Sequence, residues 1–149
     1  MFQLKAEDRL RSWRDFRSTL DSLTLDQALA RTAEYWARAP FVPYHLDPES
    51  IDTWPTPWEL VDENVYCDLA KCLGIVYTML LTKHRMELDI EIRVYENPQN
   101  LYEFNLAWFN QGKYILNMID GDIVNIKQVE QTLQLKKTIT AVQLKLEQY

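Results

Sequence analysis

The sequence predicts an α+β domain with helices in its first half and an antiparallel sheet of about four to five strands in its second. Two observations carry this: apolar residues recur at helical spacing as far as residue 83, and after His84 the period changes to strict alternation. A third is size and composition. With 149 residues, 47% hydrophobic and 12% aromatic, the chain reads as one packed domain over 1–149, long enough to bury roughly 70% of its unfolded surface.

Leu10, Trp13, Phe16 and Leu20 fall at helical spacing and predict a first helix over 6–19 with its arginines outward. Thr24 followed by Gln27 is a capping box, and Leu25, Leu29, Ala33 and Trp36 form the stripe of a second helix that Pro40 stops. Five of the six prolines lie between Pro40 and Pro57 among Phe41, Tyr44, Trp54 and Trp58, which predicts an extended loop pinned to the core by its aromatics. Thr56, Pro57 and Glu59 form another capping signature. It opens a short helix leading into a long one over 63–83, whose almost wholly apolar circumference marks the central helix of the core.

In the second half, Leu88, Ile90, Ile92 and Val94 point one way along a first strand. Asn97, Pro98 and Asn100 make a turn, and residues 101–109 form a second strand. Asn110, Gln111 and Gly112 join it to a third over 113–119. Centring that turn on Gln111 sets Phe104 opposite Met118, Leu106 opposite Leu116 and Trp108 opposite Tyr114, a ladder expected to face the long helix. The same register puts Asn105 opposite Asn117 on the other face. Residues 123–126 and 135–140 complete the expected strands.

The start, Met1 to Asp8, lacks the basic and apolar regions of a signal peptide, and the longest apolar run, 73–81, is far short of the roughly 20 residues that span a bilayer. A cytoplasmic location and no membrane contact are expected. Cys67 and Cys72, five apart in the predicted helix, lie on different faces and read as reduced thiols. A net charge of −6 opposes a phosphate backbone, and the arginines of the first helix are interleaved with Asp8 and Asp15, so no nucleic acid is expected. Asp47, Glu49, Asp52, Glu59, Asp62, Glu63 and Asp68 lie in a stretch without Lys or Arg. Their spacing fits no metal-site pattern, so they read as a solvated acidic surface. With three glycines there is no phosphate loop, and there is no GxSxG elbow. Neither metal nor cofactor is expected.

The order of three elements resembles the papain-like, transglutaminase-like superfamily over 65–119. Cys67 near the start of the long helix, the strand Phe104-Asn105-Leu106-Ala107-Trp108-Phe109 and the strand Tyr114-Ile115-Leu116-Asn117 are similar to that family's nucleophile helix, histidine strand and acid strand. The resemblance implies a cysteine nucleophile activated by the helix dipole and by a His–Asp pair. Asn105 stands at the histidine position and Asn117 at the aspartate position, and neither shuttles a proton at pH 7. The implication is a scaffold without its acid–base step, a contribution of about 10²–10⁴-fold. If the chain is an enzyme, Cys67 is the nucleophile, with His45 or His84 as base. Otherwise Cys67 is a small buried hydrophobe, His84 a helix-end cation and His45 a loop residue.

Phe41, Tyr44, Trp54 and Trp58 beside acidic residues have the composition of interface anchors and rim, and mark a candidate protein-binding surface. Trp-Pro-Thr-Pro-Trp-Glu-Leu at 54–60, Tyr-Cys-Asp-Leu-Ala-Lys at 66–71 and Lys-Leu-Glu-Gln-Tyr at 145–149 are similar to small proteins of tailed bacteriophages. That resemblance implies a non-catalytic virion component of the neck, tail or baseplate, acting in assembly with other virion proteins inside a bacterial host and able to oligomerise there. The competing expectations are a cysteine-dependent hydrolase or transferase, and an acidic inhibitor of a host protein.

Overall fold

Three reciprocal capping boxes punctuate the chain, at Thr24 with Gln27, Thr56 with Glu59 and Asn125 with Gln128. Each satisfies two backbone N–H groups that a helix start leaves open. The computed structural model describes residues 1–149. Its helices are α1 (Ala6–Leu20), α2 (Leu25–Ala37), α3 (Pro57–Glu63), α4 (Asp68–Leu80) and α5 (Ile126–Glu130). Its strands are β1 (Ile90–Glu96), β2 (Glu103–Phe109), β3 (Tyr114–Leu116), β4 (Ile123–Val124) and β5 (Gln134–Thr140), antiparallel in the order β4-β3-β2-β1-β5. The α+β class is as the sequence predicts.

α4 is the axis of the core, and every residue from Leu69 to Leu80 is buried. Ile90, Ile92 and Val94 of β1, Ala107 and Phe109 of β2, Leu116 of β3 and Ile139 of β5 pack with it in one cluster. A second, smaller core of Tyr95, Leu106, Trp108, Ile115, Val124, Val129 and Leu133 lies on the opposite face of the sheet, under α5. The proline-rich loop is pinned in part: Trp54 packs against the core and Tyr77 Oη donates to the Pro55 carbonyl at 2.8 Å, whereas Phe41 and Tyr44 are exposed. No helix is long and apolar enough to cross a membrane.

Three expectations are corrected. The long helix does not run from 63 to 83. α3 ends at Asn64 in the left-handed region (φ 56°), the chain is extended through Tyr66, and Cys67 is the N-cap of α4 and not a helical residue. The β2–β3 register is shifted by one. Ala107 pairs with Leu116, Trp108 with Ile115 and Phe109 with Tyr114, because the connection has four residues, with Asn110, Gln111 and Gly112 all at positive φ. As side chains alternate along a strand, this shift exchanges the faces: Leu106 and Trp108 lie behind the sheet, and the face bearing Asn105, Ala107 and Phe109 meets α4. Finally, two strands end early: β3 stops at Leu116 and not at Ile119, and β4 at Val124, with Ile126 already in α5.

Candidate functional site

The site forms where α4 begins and β3 ends. Asn117 leaves the sheet at φ 78°, a backbone state that asparagine tolerates better than most residues. No β3 residue then pairs with Asn105, and its N–H is taken by the neighbouring helix instead: it donates to Asp68 Oδ2 at 2.8 Å. Asn105 Nδ2 donates to the same oxygen at 3.0 Å. Asn117 Nδ2 reaches Asp68 Oδ1 and the Asp68 carbonyl, both at 3.2 Å, and the Asn105 carbonyl at 2.9 Å. Three elements are thus tied through one carboxylate. Burial pushes the Asp68 carboxyl above its ordinary range, against the opposing pull of the Asn105 hydrogen bonds, the Lys71 charge and the Asn117 hydrogen bond. One turn along α4, buried Lys71 pairs with Asp120 at 3.0 Å.

Asn105 and Asn117 therefore converge, although not as a directly opposed cross-strand pair, and the residue they converge on is one that sequence reasoning assigned to the solvated surface. Asp68 departs from that expectation because its carboxylate turns inward to fill the gap that the short β3 leaves. No sequence signal marks it, because an acid in the first turn of a helix is ordinarily a solvated partner of the helix dipole.

Cys67 is 5% exposed and its side chain makes no capping hydrogen bond. Cys72 is fully buried in the core, which pushes its thiol well up. His84 is not placed to serve Cys67. It lies past the other end of α4, about 20 Å away at the helical rise, with Nε2 against the Leu20 carbonyl at 2.9 Å and Nδ1 against Glu87 at 3.0 Å. His45 is exposed in the loop and its Nε2 faces Glu63 at 3.5 Å. Phe41, Tyr44 and Trp58 are exposed to 61%, 94% and 47%, whereas Trp54 packs against the main core. Among His, Cys, Asp and Glu side chains, no group of three or more is arranged to hold a metal ion.

No protein-family model matches the chain, and no curated protein matches its sequence. Solved structures do match it in shape. LapG of Legionella pneumophila superposes with a TM-score of 0.73 at 12% identity, over 91% of this chain and 75% of LapG. Its calcium-bound form gives 0.76 at 12% identity, over 93% and 77%. These neighbours correct the phage expectation: the solved structures that share the fold are of a bacterial protein and not of a virion component, and a virion role finds no support in them. The segments that carried the phage resemblance have local structural tasks here, since 54–60 contains the α3 capping box, 66–71 opens α4 and 145–149 ends with Tyr149 packed on Tyr77. What the likeness establishes is the fold, one shared with LapG.

Proposed function

We propose that this chain is a transglutaminase-like scaffold that works by protein recognition and not by thiol catalysis. One observation carries the reading. At the two positions where the resemblance expects histidine and aspartate, Asn105 and Asn117 spend their amide hydrogens on Asp68 and the Asn105 carbonyl, so those positions supply amide donors in place of an acid–base pair. Cys67 beside it is nearly inaccessible to substrate. The exposed aromatics Phe41, Tyr44 and Trp58 are the candidate recognition residues.

A cysteine-dependent hydrolase or transferase is the second reading. It is favoured by the LapG-like fold together with the place of Cys67 as N-cap of a 13-residue helix, where the resemblance expects the nucleophile. Reaction with p-nitrophenyl acetate separates the two. The proposal expects no stoichiometric burst of nitrophenol from the folded protein. A burst that disappears in Cys67→Ala would overturn it.

A further inference from the structure

On α1, Arg17 folds back one turn over Trp13, its guanidinium carbon 4.3 Å from the ring centroid and 5.9 Å from that of Trp58 on α3. The two indoles meet edge-on, with centroids 6.0 Å apart. Trp13 is wholly buried and forms the back of this frame, while Trp58 is 47% exposed and forms its rim. The arginine is half-buried, yet it makes no ion pair, and its buried Nε has no hydrogen-bond partner. Burial and the neighbouring Arg14 work against its charge and outweigh the support it draws from Asp21 and Tyr35. Arg14, one turn earlier, adds a second cation whose partner is the adjacent and equally exposed Asp15 at 3.7 Å.

A methionine would cover Trp13 as well without the cost of a half-buried charge that no carboxylate contacts, so packing alone does not account for this residue. With one face of the guanidinium on Trp13 and Nε buried, Nη1 and Nη2 are left for an acceptor. We propose that Arg17, framed by Trp13 and Trp58 with Arg14 alongside, anchors a docking site for a carboxylate-bearing segment of a partner protein. The planar fork matches a carboxylate in two parallel hydrogen bonds, and the exposed half of Trp58 takes an adjoining apolar side chain. Charge decides between anions. The chain carries −6 overall, which repels a nucleic acid or an anionic membrane at long range, whereas one or two carboxylates are matched locally by two arginines. The partner class rests on the reading of the chain as a recognition scaffold, but the nitrophenyl acetate result tests that reading separately and is indifferent to this site.

The test is titration of the full chain, followed by amide and indole resonances, with acetyl-Leu-Glu-Glu-Leu-amide and with its Gln-Gln counterpart. Saturable shifts at Arg17 Nε–H and Trp58 Nε1–H are expected with the Glu peptide, with affinity at least about tenfold weaker for the Gln peptide and for Arg17→Met. Arg14→Met leaves the stacked arginine in place, so its expected few-fold loss cannot come from a disturbed α1. No shift at millimolar Glu peptide, equal binding of the Gln peptide, or unaltered binding by Arg17→Met and Arg14→Met would each overturn the proposal. Binding of a phosphoserine peptide or of phosphatidylserine vesicles without binding of the Glu peptide would also overturn it.

Discussion

Removing the Thr78 hydroxyl offers a sharp test of how the helical layer is tied together. Trp13 Nε1 on α1 donates to Thr78 Oγ1 at 3.0 Å and Trp36 Nε1 on α2 donates to it at 2.8 Å, while the hydroxyl donates to the Gly74 carbonyl at 2.6 Å. All of these groups are fully buried on α4 and its two neighbours. Thr78→Val keeps the volume and leaves two indole N–H groups without acceptors. At about 1–3 kcal/mol for each orphaned buried donor, the total is about 2–6 kcal/mol, and we take about 3 because the rings can relax slightly. For a chain of this size that corresponds to a fall in Tm of about 6–12 °C. Thr78→Ser, which keeps the acceptor and loses a methyl, should cost about 1 kcal/mol. The assay is urea unfolding followed by tryptophan fluorescence, with calorimetry for Tm. A Thr78→Val protein within about 1 kcal/mol of wild type would refute the hub.

The remaining predictions concern packing, pH and the site. Gly74→Ala would place a Cβ 2.5 Å from the buried Trp36 ring, so it should destabilise by about 1–3 kcal/mol or more in the same assay. Burial opposes the charge on His84, but its bonds to Glu87 and the Leu20 carbonyl and the fields of Glu87 and Asp21 outweigh it, so its pKa in the fold lies above the ordinary 6.5. The stability it contributes is then fully present below pH 6.5 and lost as pH rises through the folded value; urea titrations across that window should show a drop that His84→Gln abolishes. Asp68→Ala leaves the Asn105 N–H without its acceptor and should cost about 2–4 kcal/mol, with faster amide exchange at Asn105. Wild-type exchange rates in that variant would mean that the network does not hold the strand.

Much of the fold was legible because local chemistry and tertiary structure agree. Thr24, Thr56 and the alternation through Ile90, Ile92 and Val94 each specify an element that the packing then uses. Errors arose where a residue acts through backbone conformation. Gln111 gives no turn signal, yet it sits at φ 56°, and the extra loop residue it allows moves every β2 side chain to the opposite face. Val65, Tyr66 and Cys67 continue the apolar period of a helix while their backbone is spent on the link between α3 and α4 and on a bridge to Phe41. The Asn125–Gln128 box that opens α5 could have been read from sequence. At the site, Cys67, Asn105 and Asn117 were visible as types in a chain order. Asp68 was not, because its role depends on β3 ending early.

The reactivity of Cys67 separates a buried structural thiol from an activated nucleophile. Alkylation by iodoacetamide would be followed by intact mass as a function of pH, in folded Cys72→Ala protein. A recognition scaffold is expected to react slowly at every pH short of unfolding, because the thiol is 5% exposed and Asn105 and Asn117 are bonded to Asp68. Rapid stoichiometric alkylation of the folded protein persisting below pH 7 would contradict this account and identify Cys67 as an activated nucleophile.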